Sequence, residues 1–169
     1  MGISLDELLQ ANQRYAAGFS QGSLAMPPAR KLAIVTCMDA RVEPLSALGL
    51  RLGDTHVIRN AGGRATEDAL RSLAISERLL GTEAILVLHH VDCGMLTFSN
   101  EDIRARIKSD LGAAAAHAAA TLDFLPFSDL AASVRVDVAA IKASPLIPAA
   151  IPVYGAIYDV HTGRVEPVS

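Results

Sequence analysis

Residues 84–94 read AILVLHHVDCG. The apolar run does not alternate with polar residues, which suits a strand covered on both faces in a parallel sheet. Upstream of it, Thr66 caps a predicted helix over about 67–80, with Leu70, Leu73, Ala74 and Glu77 at helical spacing and Gly81 as its stop. Further back, LAIVT at 32–36 reads as a second buried strand and HVI at 56–58 as a third. Downstream come a helix near 100–111, the helix-forming LGAAAAHAAATL at 111–122, and a helix over 128–143. IPVYGAIYDV at 151–160 gives a late strand, followed by a turn at Gly163 and a tail. Strands and helices in this order predict an α/β fold: three-layer, with a mostly parallel central sheet and flanking helices.

Residues 1–30 form a separate feature of what reads as one domain over 1–169. Ser4 and Glu7 make a capping box for a helix ending near Gly18, with Leu5, Leu8 and Leu9 as a short apolar stripe. The connector SQGSLAMPPAR at 20–30 has no periodicity. The expectation is an N-terminal helical arm and linker whose stripe folds back or lies on a partner subunit.

With 169 residues, the chain is long enough to bury roughly two-thirds of its unfolded surface without cross-links. A net charge of −3 and the lack of any Lys/Arg run argue against nucleic acid as a partner. No stretch approaches the roughly 20 apolar residues of a membrane span. The acidic, amphipathic start does not resemble a signal peptide, so a reducing, cytoplasmic location is expected. There, Cys37 and Cys93 are thiols or ligands rather than a disulfide.

Those two cysteines carry the chemistry. Cys37 follows the strand at 32–36, and His90 and Cys93, separated by two residues, stand at the end of the strand at 84–90. Open α/β sheets bind ligands at the C-terminal ends of their strands, so the two ends can meet in one crevice. Together the three residues make a Cys2His set, a catalytic zinc arrangement that leaves a fourth position open. Taken singly, each residue also fits a bland role: core packing for a cysteine, a hydrogen-bonded structural role for a histidine. Ligation is favoured because both cysteines of the chain close apolar strands beside ionisable residues. His89 faces the opposite side of its strand and is not expected as a ligand.

CMDAR at 37–41 followed by HHVDCG at 89–94 resembles the β-class carbonic anhydrases, whose signature joins C-x-D-x-R to a later H-x-x-C. The likeness extends to VIRNAGG at 57–63 and TEDALRSLAISERLLG at 66–81, and covers about 2–111 and the final strand. It implies Zn2+ on Cys37, His90 and Cys93, an Asp39–Arg41 dyad, and a substrate pocket beside Asn60, Ala61, Gly62 and Gly63. The implied activity is that of a zinc lyase: reversible hydration of carbon dioxide to bicarbonate by zinc-bound hydroxide, in a homodimer or homotetramer. If Asp39 binds zinc the site is closed; if Arg41 grips the carboxylate, water can enter. Family members exist in both forms. A glutamine found near the first motif of some relatives is missing here, and Val42, Leu45 and Leu48 are expected as an apolar wall. Alternatives are hydrolysis of carbonyl sulfide or carbon disulfide on the same scaffold, or a non-enzymatic zinc-stabilised dimer. A cysteine phosphatase is excluded by Glu43, which stands where that chemistry needs an arginine.

Overall fold

Strands β1 (Leu32–Cys37), β2 (Thr55–Asn60), β3 (Ala84–His90), β4 (Val153–Tyr158) and β5 (Val165–Pro167) form one sheet, ordered β2-β1-β3-β4-β5. They belong to a computed structural model that describes residues 2–169; Met1, the first residue of the expected arm, lies outside the described residues. The first four strands pair in parallel, and β5 runs antiparallel to β4. The tail expected after Gly163 is therefore an edge strand. The chain leaves β1 to one side for β2 and returns past it to β3. That reversal makes the junction of β1 and β3 the switch point of the sheet, where a crevice opens beyond the strand ends.

Helix α3 (Glu67–Leu80) starts at Thr66, whose side chain accepts from the Ala69 N–H, and stops at Gly81 in the left-handed conformation. It packs Ala69 and Leu73 onto Ala33, Val35, Ile85 and Val87. Helix α6 (Leu130–Ala143), capped by Asp129, adds Val134 and Ile141 to the same core. Burial on this scale stabilises by about 1.5–3 kcal/mol for each large aliphatic side chain. On the other face, Ile34, Leu88 and Ala156 are covered by Leu48 and Leu50, which follow the four-residue helix α2 (Pro44–Ala47). This layer is thin.

Helix α4 (Asn100–Leu111) is as long as expected, but the alanine run forms a separate helix, α5 (Ala113–Ala119). Gly112, with φ of 84°, breaks the two apart. Helix α1 (Leu5–Ala17) shows the capping box of Ser4 and Glu7 and buries none of its residues. No helix among the described residues is long and apolar enough to cross a membrane.

Candidate metal centre

Cys37 ends β1 and His90 ends β3, and parallel pairing of these neighbours sets both at one rim of the sheet. Cys93 follows on a turn that passes through Asp92, held at φ of 56°. The sulfur atoms of Cys37 and Cys93 lie 4.0 Å apart, and the ligand atoms of Cys37, His90 and Cys93 all fall within 4.8 Å of one another. Two thiolates on a tetrahedral zinc, with bonds of about 2.3 Å, stand about 3.8 Å apart. The observed spacing is close to that.

The histidine is prepared for the same task. Its Nδ1 meets the Val91 carbonyl at 2.8 Å and donates to it, which leaves Nε2 as the acceptor nitrogen. That Nε2 is buried and has no hydrogen-bond partner. An orphaned lone pair in a dry site is costly unless something coordinates it. The donor set is soft, two thiols and an imidazole, and so suits zinc over magnesium or calcium. The neighbouring Cys93 thiol brings Cys37 down to about 4 against the effect of burial, aided by His90, while Cys37 and burial push Cys93 up.

Asp39 stands next to this set, engaged by Arg41 through both oxygens. Oδ1 accepts from Arg41 Nε at 3.0 Å and from its backbone N at 2.9 Å, and Oδ2 accepts from Nη2 at 2.8 Å. The guanidinium hydrogen bonds hold the Asp39 carboxyl well below the usual carboxylate range. Oδ2 remains 3.8 Å from His90 Nε2, too far to bond it. Arg41 Nη1 also reaches Asp92 at 2.6 Å, and its Nη2 reaches the Asp92 carbonyl at 3.0 Å. One guanidinium thus ties the first motif to the second.

A cavity of about 310 Å³ opens at the ligands, lined by Cys37, Met38, Asp39, Ala61, Gly62, Cys93, Gly94, Met95 and Phe98. Of the expected pocket residues, Ala61 and Gly62 line it, whereas Asn60 and Gly63 stand behind. Asn60 closes the turn by exchanging hydrogen bonds with Arg64, accepting from its N at 2.7 Å and donating to its O at 2.8 Å. Gly63 lies so close to β1 that a Cβ there would meet Cys37 N at 2.9 Å. The expected wall of Val42, Leu45 and Leu48 is elsewhere: Val42 is buried and Leu48 packs beneath the sheet. The apolar wall is made by Met38, Met95 and Phe98, from residues adjoining the two cysteines. His89 points away from the ligands, to Ser133 of α6. Sequence reading gave Arg59 no role, yet its Nε donates to the Cys37 carbonyl at 2.9 Å and its Nη2 to the Asp39 carbonyl at 2.7 Å.

Residues 32–165 match the family model described as "Carbonic anhydrase". The chain is 42% identical over 164 residues to beta-carbonic anhydrase 1 of Mycobacterium tuberculosis, covering 97% of each chain. This chain belongs to the β-class carbonic anhydrase family. A crystal structure of a carbonic anhydrase from Streptococcus mutans superimposes with a TM-score of 0.92 at 50% identity, covering all of both chains. The carbon disulfide hydrolase of Saccharolobus solfataricus is also similar, 33% identical over 182 residues, which cover 96% of this chain and 87% of that one. The cluster of Cys37, His90 and Cys93 has a geometry consistent with the zinc site of that family.

Proposed function

We propose that this protein catalyses the reversible hydration of carbon dioxide to bicarbonate, with zinc held by Cys37, His90 and Cys93. The observation that carries the reading is the two-pronged grip of Arg41 on Asp39, which keeps a carboxylate beside the ligand set without making it a fourth ligand. Zinc bound here supplies Lewis acidity, which brings the ionisation of a water molecule towards neutral pH. Cys37 and Cys93 contribute two negative charges that match the cation, and the Val91 carbonyl fixes the ring of His90. Asp39 holds an acceptor oxygen towards the nucleophile and orients its hydrogen. Met38, Ala61, Met95 and Phe98 give the reacting carbon an apolar wall facing the ligands. Carbon dioxide fits those terms.

A purely structural zinc usually takes four protein ligands, and Arg41 withholds the obvious fourth. The M. tuberculosis relative, named for carbonic anhydrase activity, is more similar than the relative named for carbon disulfide hydrolysis, 42% against 33%. Carbon dioxide is therefore the substrate of choice over carbon disulfide. We further propose that the protein works as a dimer, because α1 and its connector expose Leu5, Leu8, Leu9, Tyr15, Phe19 and Met26 together. The deciding experiment is stopped-flow hydration of carbon dioxide at several pH values on protein of measured zinc content, with carbonyl sulfide and carbon disulfide as competing substrates. Hydration that scales with bound zinc is expected. Zinc-loaded protein that turns over only the sulfur compounds, or none of the three, refutes the assignment.

A further inference from the structure

Behind the pocket wall lies a charged cluster that the ligand set does not use. The side chains of Arg64, Asp137 and His89 are only 12%, 4% and 1% exposed. Asp137 Oδ2 accepts from Arg64 Nε at 2.7 Å and stands 3.2 Å from His89 Nε2, while Oδ1 accepts from the Ala65 N–H at 3.0 Å. His89 Nε2 also faces the Gly63 carbonyl at 3.1 Å, and with two acceptors before it this nitrogen carries the proton. Burying such a set is a poor way to gain stability, since a well-packed apolar replacement often does as well. Its partners indicate another role. Arg64, Ala65 and, through His89, the Gly63 carbonyl all belong to the turn that follows β2. That turn seats Gly63 so close to the Cys37 backbone that a Cβ there would meet Cys37 N at 2.9 Å. Phe127 stacks on His89 at 5.6 Å, lies 5.5 Å from the Arg64 guanidinium, and packs with Cys37, Cys93 and Met95.

We propose that Asp137 is a positioning residue of the metal centre: from α6 it holds the Gly62–Ala65 turn and Phe127 against Cys37, and so governs how firmly that thiolate retains the metal. This rests on the reading of Cys37, His90 and Cys93 as the zinc ligands. It does not depend on what the zinc then does.

Asp137→Asn in the full chain tests it. An amide nitrogen in place of Oδ1 leaves the Ala65 N–H without its acceptor, and one in place of Oδ2 does the same to both Arg64 Nε and His89 Nε2. Zinc release to a chromogenic chelator is expected to run about tenfold faster than in the parent, the lower end for outer partners of a metal site. The cobalt-substituted protein should show a displaced thiolate-to-cobalt charge-transfer band. Leu73→Ala, which loosens the core on which the turn rests but leaves all of the turn's hydrogen bonds in place, serves as the control and should keep the parental band and release rate. A folded Asp137→Asn protein with parental release and band overturns the proposal, as does a Leu73→Ala protein that changes both equally. If Asp137→Asn does not fold, Arg64→Met, which frees the turn but keeps the Asp137–His89 pair, decides by the same two measurements. Carbon dioxide hydration is not read, so a zinc-retaining but inactive parent would sink the proposed function and leave this inference standing.

Discussion

Arg41 bonds two aspartates from different strand ends, and what it withholds matters as much as what it binds. With Asp39 gripped at both oxygens, the carboxylate stays 3.8 Å from His90 Nε2. Arg41→Ala frees it to swing into the vacant coordination position. We expect that variant to keep about one zinc per chain while carbon dioxide hydration falls about 10–100-fold. Metal analysis with stopped-flow kinetics checks this, and simultaneous loss of zinc and fold would assign Arg41 a structural role instead. The ligand cluster was legible in the sequence because the chain has only two cysteines and both close strands, whereas the Asp39–Arg41 dyad was read from the resemblance of CMDAR to the family signature. Arg59 and Asp137 were not legible. Arg59 acts through backbone carbonyls, which leave no trace in side-chain patterns, and Asp137 meets Arg64 across 73 residues of chain. Arginine and aspartate are too common for such a pairing to stand out.

Among the elements, those with strong punctuation were read most closely. Thr66 and Gly81 bracket α3 at its observed ends, and the apolar run at 84–90 is β3 residue for residue. The elements that the sequence does not announce are the short ones, three-residue β5 and four-residue α2. Three strand residues or four helical ones span little more than one period, too few for a repeat to show. Helix α6 carries a pH dependence that follows from its docking. Burial works to raise the Asp137 carboxyl, but hydrogen bonds from His89, Ala65 and Arg64 outweigh it and hold the group below the ordinary carboxylate range. A depressed folded pKa stabilises the native state fully above the unfolded value of about 3.9, and the contribution is lost as pH falls through the folded value. The urea midpoint of Asp137→Asn should therefore lie below that of the parent near neutral pH, and the gap should narrow below about pH 4. A gap that widens in acid would contradict this sign.

At the scale of the whole molecule, α1 buries none of its residues among the described residues, and its exposed leucines continue into a connector that carries Phe19, Leu24 and Met26. Sedimentation at micromolar concentration should give a species of at least twice the 17.8 kDa chain mass. A truncation beginning just before the buried Pro28 should shift it towards the monomer. A monomeric parent would remove the dimer from the proposal. The strand order has a consequence for the chain's entropy as well. Cys37 and Cys93 are 56 positions apart yet meet at the junction of β1 and β3. An unfolded chain can offer a metal only His90 and its near neighbour Cys93. Recruiting Cys37 from a random coil means closing that loop, at an entropic cost on the order of 3–4 kcal/mol. The native sheet has already closed it, so zinc discriminates strongly between the folded and unfolded chain. At a free zinc concentration a hundredfold above the dissociation constant, the linkage is worth about 2.7 kcal/mol. Stripping the metal with a chelator should then lower the melting temperature by about 5–10 °C, making the ion a reversible cross-link in a protein that has no covalent one.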